Sequence, residues 1–136
     1  MRFDTKIAVV VRDDLAIWQK LNVTAFLVSG IAAGDPECVG EPYIDATDHC
    51  YRPMFRQPVM VFAADADGIR AAFGRAVERG ARLSIFTRDL FATGHDEANR
   101  AAVRAVPRDA LDLAGFALRD DRRLVDRVVK GLVLHG

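Results

Sequence analysis

The stretch Lys6-Ile-Ala-Val-Val-Val-Arg12 leads, through Asp13-Asp14, straight into Leu15-Ala-Ile-Trp-Gln-Lys-Leu-Asn-Val-Thr-Ala-Phe-Leu-Val-Ser-Gly30. The first part is an unbroken apolar run bounded by charges, which is the pattern of a strand covered on both faces. The second is too long for a strand. Leu15, Ile17, Trp18, Leu21, Val23, Phe26, Leu27, Val28 and Ile31 cover most of a helical circumference. The pattern predicts a helix over 14–33, stopped at Gly34 with Pro36 just beyond. A helix apolar nearly all round is expected to be buried on more than one side. Lys20, Asn22, Thr24 and Ser29 must then reach a cleft or find buried partners.

Strands and helices alternate along the rest of the chain. Pro58-Val-Met-Val-Phe-Ala-Ala64 reads as a second buried strand, followed by cap chemistry at Asp65 and a helix over 66–79 closing at Gly80. Leu83–Thr87 reads as a third strand. Thr93-Gly-His-Asp96 resembles a capping box and opens a helix over 94–105, before Pro107. Leu113–Leu118 reads as a fourth strand, and Asp120-Asp121 cap a last helix with Leu124, Val125, Val128, Val129 and Leu132 as its core stripe. The segment 34–58 holds four of the five prolines and has no strong periodicity beyond a short edge strand at Tyr43–Asp48. A connection of that length reads as a functional flap or covering loop.

This order predicts a single α/β domain over 1–136, in three layers (helix, sheet, helix), around a mixed, mostly parallel sheet of about four strands. Ligands of such sheets bind beyond the carboxyl ends of the strands. Arg12, Asp13, Asp14, Thr87, Arg88 and Asp89 all fall there.

Composition narrows the function classes. The 136 residues are 51% hydrophobic, enough for one good core without a metal or disulfide staple. Lys plus Arg number 19, as do Asp plus Glu, so no basic excess favours non-specific nucleic-acid binding. No apolar run approaches a membrane span and the amino end lacks a leader-like run, so a cytoplasmic chain with no membrane contact is expected. Cys38 and Cys50 then read as free thiols, and their spacing with His49 matches no metal site. No cofactor is expected: phosphate-loop, dinucleotide, nucleophile-elbow and H-E-x-x-H motifs are all absent.

Two groups carry the candidate chemistry. On the first helix, Lys20 and Thr24 share a face, as do Trp18 and Asn22. A lysine among apolar side chains can grip an anion or act as a base. The competing account has Lys20 reaching solvent, Trp18 in the core, and Asn22 and Thr24 bonded to backbone. The second group is Thr87–Arg100. Here His95 lies in a first helical turn, where a neutral imidazole can serve as a base or donor, and Thr93 and Gly94 open the backbone to an anion. Caps and turns also account for Thr93, Asp96, Asp13, Asp14 and Asp89.

Three stretches, Lys6–Leu15, Trp18–Leu27 and Phe91–Arg100, resemble an uncharacterised bacterial domain-of-unknown-function family grouped by fold with the type II peptidyl-tRNA hydrolases. Val9-Val-Val-Arg-Asp-Asp-Leu15 is similar to the hydrolases' V-V-R-x-D-L. Lys20 stands, with a one-residue gap, where their K-x-A-A-Q run begins, and Arg88-Asp89 is similar to the start of their R-D-A-G segment. The resemblance implies a peptidyl-tRNA hydrolase-like fold. It frames the expected function as hydrolysis or acyl transfer on a small or tRNA-linked ester. In that reading Lys20 holds the anionic group and His95 or Asp89 activates water. Asn22 and Thr24 orient the substrate, with Arg12, Trp18, Thr93 and Gly94 around it. The alternative is a non-catalytic module for a small anion or a protein partner. Sheet edges and the aromatic-rich flap also call for cover, which a homo-oligomer such as a dimer would provide.

Overall fold

The computed structural model describes residues 3–136. Strand β1 (Thr5–Arg12) lies at the centre of a five-stranded sheet with β4 (Val59–Ala64), β5 (Ser84–Thr87), β6 (Leu113–Asp121) and β7 (Val133–Leu134), in the order β5-β6-β1-β4-β7. The two remaining strands, β2 (Tyr43–Ile44) and β3 (Cys50–Tyr51), pair only with each other. Helices α1 (Ile17–Gly34), α2 (Ala66–Glu78), α3 (Asp96–Arg104) and α4 (Arg122–Val128) complete the regular structure.

The apolar run of β1 is covered on both faces, as its pattern requires. Ile7, Val9 and Val11 pack beneath α1 with Val23, Leu27 and Ile31. Ala8 and Val10 pack on the other face with Ile69, Ala72, Phe73 and Ala76 of α2 and Val125 and Val128 of α4. Register follows these contacts: Val9 lies opposite Val61 in the parallel pair and opposite Ala117 in the antiparallel one. Helix α1 sits very close to the sheet at Gly115. A Cβ there would come within 2.9 Å of both the Val10 carbonyl and a Val23 methyl.

The expectation of a mostly parallel sheet is corrected. Only β1 and β4 are parallel neighbours, and the other three ladders of this sheet are antiparallel. A parallel neighbour needs a crossover helix lying on the sheet. Helix α1, which lies between β1 and β4 in the chain and packs on the sheet, supplies the one crossover between parallel neighbours. Helix α3 buries no residue and rests on the 3-10 turn Arg88–Ala92, so the chain returns from β5 to β6 antiparallel. The edge strand β7 is two residues long and carried no signal of its own.

Three local expectations also change. Helix α1 begins two to three residues later than its acidic pair suggests: Gln19 Oε1 accepts from the Ala16 amide at 3.0 Å, while Asp14 turns to Arg12. Helix α3 is capped by His95, whose Nδ1 accepts from the Ala98 amide at 3.2 Å. Thr93 instead donates to the Leu90 carbonyl at 2.9 Å. The burial expected all round α1 holds on one side only. Ile17 (78% exposed), Trp18 (62%), Leu21 (68%) and Phe26 (55%) lie on its outer surface.

Candidate functional site

One flank of α1 meets the segment after β5 in a cleft. Helical pitch turns Trp18, Asn22 and Phe26 toward β5, where Phe86 ends the strand and Leu90 and Phe91 follow in the 3-10 turn. Trp18 packs edge-on against Phe91 with ring centroids 6.0 Å apart. Phe91 lies 5.1 Å from Phe86, and Phe86 lies 5.7 Å from Phe26. The four rings form one wall of a cavity of about 430 Å³. Thr93, Gly94, His95, Asp96 and Asn99 form the other wall, and Asn22 stands exposed at the rim.

The polar wall is largely committed to holding itself in place. Thr93 gives its proton to Leu90 and also touches the Asn99 amide. Asp96 is paired with Arg100 one helical turn on, with one contact at 2.9 Å. Because His95 Nδ1 accepts the Ala98 amide, its neutral ring carries the proton on Nε2. The imidazole thus offers the cleft an N–H donor rather than a free basic nitrogen. Helix α3 directs its amino end into the same cavity, so amide dipoles and the His95 donor all favour a carbonyl or carboxylate oxygen there.

Of the residues singled out from sequence, the structure brings Trp18, Asn22, Thr93, Gly94 and His95 around this cavity. It places the others elsewhere, which corrects the expectation of a single cleft shared with Lys20 and Thr24. Lys20 points off the opposite flank of α1, where its Nζ lies 3.2 Å from His135 Nε2. His135 Nδ1 in turn lies 2.7 Å from the Gly136 carbonyl. With lysine donating, His135 carries its ring proton on Nδ1 and donates it to Gly136. Thr24 donates to the Lys20 carbonyl at 2.8 Å, a bond internal to the helix. Asp89 is exposed in the 3-10 turn and does not line the cavity.

Arg12 belongs to a separate quartet at the carboxyl ends of β1 and β5. It binds Asp14 at 2.8 Å and Asp112 at 3.4 Å, and Arg88 reaches the same two carboxylates at 3.6 and 3.8 Å. The hydrogen bond from Arg12 holds the Asp14 carboxyl below its ordinary range. Arg12 Nε and Thr87 Oγ1 are buried there without partners. Burial pushes the Cys38 thiol up, whereas Cys50 is exposed. Among the described residues no three His, Cys, Asp or Glu side chains gather to hold a metal ion, and no helix is long and apolar enough to cross a membrane.

Sequence reasoning missed the aromatic wall. Phe26 reads as core because it fits the helical stripe, and Phe86 reads as strand core. Phe91 and Leu90 lie in a short turn with no period to follow. The available signal was Phe91 two residues before Thr93-Gly-His95, a large apolar side chain in a polar loop.

Comparison with known proteins gives no match among curated proteins. Ten chains among solved structures match. One is a protein of unknown function from Agrobacterium tumefaciens strain C58, 49% identical to this chain. It superposes with a TM-score of 0.96 over 99% of this chain and 100% of that one. The family described as "Protein of unknown function (DUF2000)" matches residues 5–136. This chain belongs to that family.

Proposed function

We propose that the cleft between α1 and the amino end of α3 binds a small molecule with an aromatic or acyl body and a carboxylate or carbonyl end. The observation that carries this reading is the division of its walls: four aromatic rings on one side, and the α3 amino end with the His95 donor on the other. Its volume falls within the range of small-molecule sites. The apolar body would lie on the open indole face of Trp18, and the oxygen would take the His95 Nε2 proton. Asn22, at the rim, would hold a second polar group. No side chain of the cleft is set up as a nucleophile, because Thr93, Asp96 and the His95 Nδ1 lone pair are all engaged. Binding without conversion is therefore the reading the geometry supports best.

The second reading is hydrolysis or acyl transfer on a small or tRNA-linked ester, within a type II peptidyl-tRNA hydrolase-like fold. Its support is the run Val9–Leu15 with Lys20, together with the contact of Lys20 with His135, which puts an ammonium beside an imidazole on the other flank of α1.

Trp18 is the only tryptophan in the chain and forms part of the site, so it reports its own occupancy. Titration with N-acetylphenylalanine is expected to change Trp18 emission saturably and to raise the melting temperature. Asn22→Ala, at an exposed position, should weaken binding about tenfold, on the order of one lost hydrogen bond to a charged group. Absence of a saturable change at millimolar concentration would remove the binding reading. The ethyl ester of the same compound and peptidyl-tRNA test the second. Turnover by the wild type that is lost in Lys20→Ala or His135→Ala would establish conversion, and equal near-blank rates in all three would dismiss it.

A further inference from the structure

We propose that residues 38–56 form an arm that seats on a second copy of this chain. The backbone here is one continuous antiparallel ribbon rather than a loop. Arg56 donates to the Cys38 carbonyl at 2.9 Å, Val39 bridges Phe55, and Gly40 donates to Met54 at 2.9 Å. Farther out, Tyr43 pairs with Tyr51, Ile44 pairs with Cys50, and Asp45 donates to His49 at 3.0 Å. The base is anchored: Cys38 is buried, and Val39 and Phe55 pack into the core beneath α1 with Val59 and Val61. The outer part leaves the body, and residues 41–54 are exposed without a break.

The tip is held in shape by a single carboxylate. Asp45 accepts from the Thr47 amide and hydroxyl at 2.8 and 2.7 Å, from the His49 amide at 3.1 Å and from the Tyr51 hydroxyl at 2.8 Å. Asp48 completes the turn in the left-handed region at φ 63°. A two-stranded ribbon by itself is marginal in water, and this one displays Tyr43, Ile44, Tyr51 and Met54, each more than half exposed. A preorganised, solvent-surrounded ribbon that carries bare apolar side chains on its strands is the form of a binding element, because little ordering entropy is left to lose on docking. Pro42 and Pro53 stand at its shoulders and remove donors from both strands. The ribbon therefore docks by its side chains and does not extend another sheet.

The exposed area is sufficient for a partner the size of a second copy. A compact chain of 15.0 kDa has an accessible surface of about 7,000 Å². This chain exposes 8649 Å², an excess of about 1,600 Å². A stable interface needs about 800 Å² from each partner, so the excess is more than enough. The body also carries the complementary half. Ile17 and Leu21 form a bare apolar ridge on α1, on the flank away from the aromatic cleft, and Val133 and Leu134 are bare at the β7 edge. Donor and acceptor surfaces on one chain suit a two-fold dimer, in which each arm-to-ridge contact is made twice.

Sedimentation of the full chain tests this. The wild type is expected at twice 15.0 kDa at micromolar concentration. Ile44→Asp with Met54→Asp on the arm, and separately Ile17→Asp with Leu21→Asp on the ridge, should each weaken association about 100-fold, the effect of losing a buried apolar anchor. The arm pair leaves the Asp45–Tyr51 bond intact. A readout without mutation is amide exchange of residues 41–54, which should slow as the wild type is concentrated. A wild type that stays at 15.0 kDa, or a dimer unaffected by the arm pair, would overturn the proposal. A monomer that sediments with neutral phospholipid vesicles would overturn it in favour of a lipid surface.

Discussion

Trp18 and Phe26 leave α1 toward β5, while Ile17 and Leu21 leave it on the side of β4 and β7. All four are large, apolar and more than half exposed. On the first flank each ring meets another, Trp18 on Phe91 and Phe26 on Phe86, and the exposed area is the wall of a cavity. On the second flank, among the described residues, Lys20 with His135 is the polar contact across to the sheet edge, and the apolar ridge is left without cover. Apolar content along a helix thus fixes where cover is needed and not what provides it. One flank has a hollow to be filled by something small, and the other a ridge to be covered by something large.

The largest test of that division contrasts the buried stripe with both flanks. Leu27→Ala removes a side chain 1% exposed, and should cost about 3 kcal/mol and roughly 10 °C in melting temperature. Gly115→Val should cost a similar amount, because its methyl groups enter the space of the Val10 carbonyl, Val23 and Leu27. Leu21→Ala, on the same helix but 68% exposed, should change the stability of the isolated chain by less than about 0.5 kcal/mol. Thermal melts at low and high protein concentration separate the cases. A Leu21→Ala loss that appears only at high concentration places that ridge in an interface between copies.

These contrasts also mark how far the sequence could be read. The strands β1 and β4 and the helix α2 were legible because their residues answer to one environment: a two-faced apolar run, or a single stripe closed by Asp65 and Gly80. The antiparallel return of β6 was not, because its cause is a missing stripe. Helix α3 offers only Ala98, Ala101, Ala102 and Val103 to a sheet, too little to hold it there as a crossover. Within the cleft, Asn22 and His95 stood out as polar groups in unusual places, whereas the rings opposite them looked like ordinary core. Lys20 drew attention for the same reason as Asn22, but two residues along a helix is a turn of about 200°, which carried it to the other flank. Within the segment read as a flap or covering loop over 34–58, residues 38–56 form the ribbon. Its outer part stands away from the body.

A smaller effect separates the two roles of His95. As the cap of α3 it accepts from Ala98, so His95→Ala should lower stability by about 1 kcal/mol. His95→Asp restores an acceptor in the cap but sets a negative charge where the ligand oxygen is proposed to lie. The aspartate variant should therefore recover the melting temperature and still fail to bind N-acetylphenylalanine. If it binds as the wild type does, the imidazole is a cap alone and the polar end of the ligand is held elsewhere.

The smallest effect lies at the ribbon tip, and its sign follows from which state holds the proton. Hydrogen bonds from Thr47 and Tyr51, then from the His49 and Thr47 amides, hold Asp45 at about 2, below its ordinary 3.8. The folded tip thus favours the carboxylate, so its contribution is complete above pH 3.8 and is lost as the pH falls through about 2. The same bond raises the Tyr51 hydroxyl above its ordinary 10.0, because the folded tip favours the protonated phenol beside the carboxylate. That part is complete below pH 10.0 and fades as the pH rises past it. Asp45→Asn removes the charge and should return the Tyr51 titration to its ordinary value. Both tyrosines of the chain lie in the ribbon, so phenolate absorbance against pH reads the tip and nothing else. The expected result is a downward shift of one of the two transitions in the variant. Two unshifted transitions would mean that Asp45 does not hold Tyr51 in solution, and the ribbon would then lose the preorganisation that distinguishes it from the bare ridge of α1.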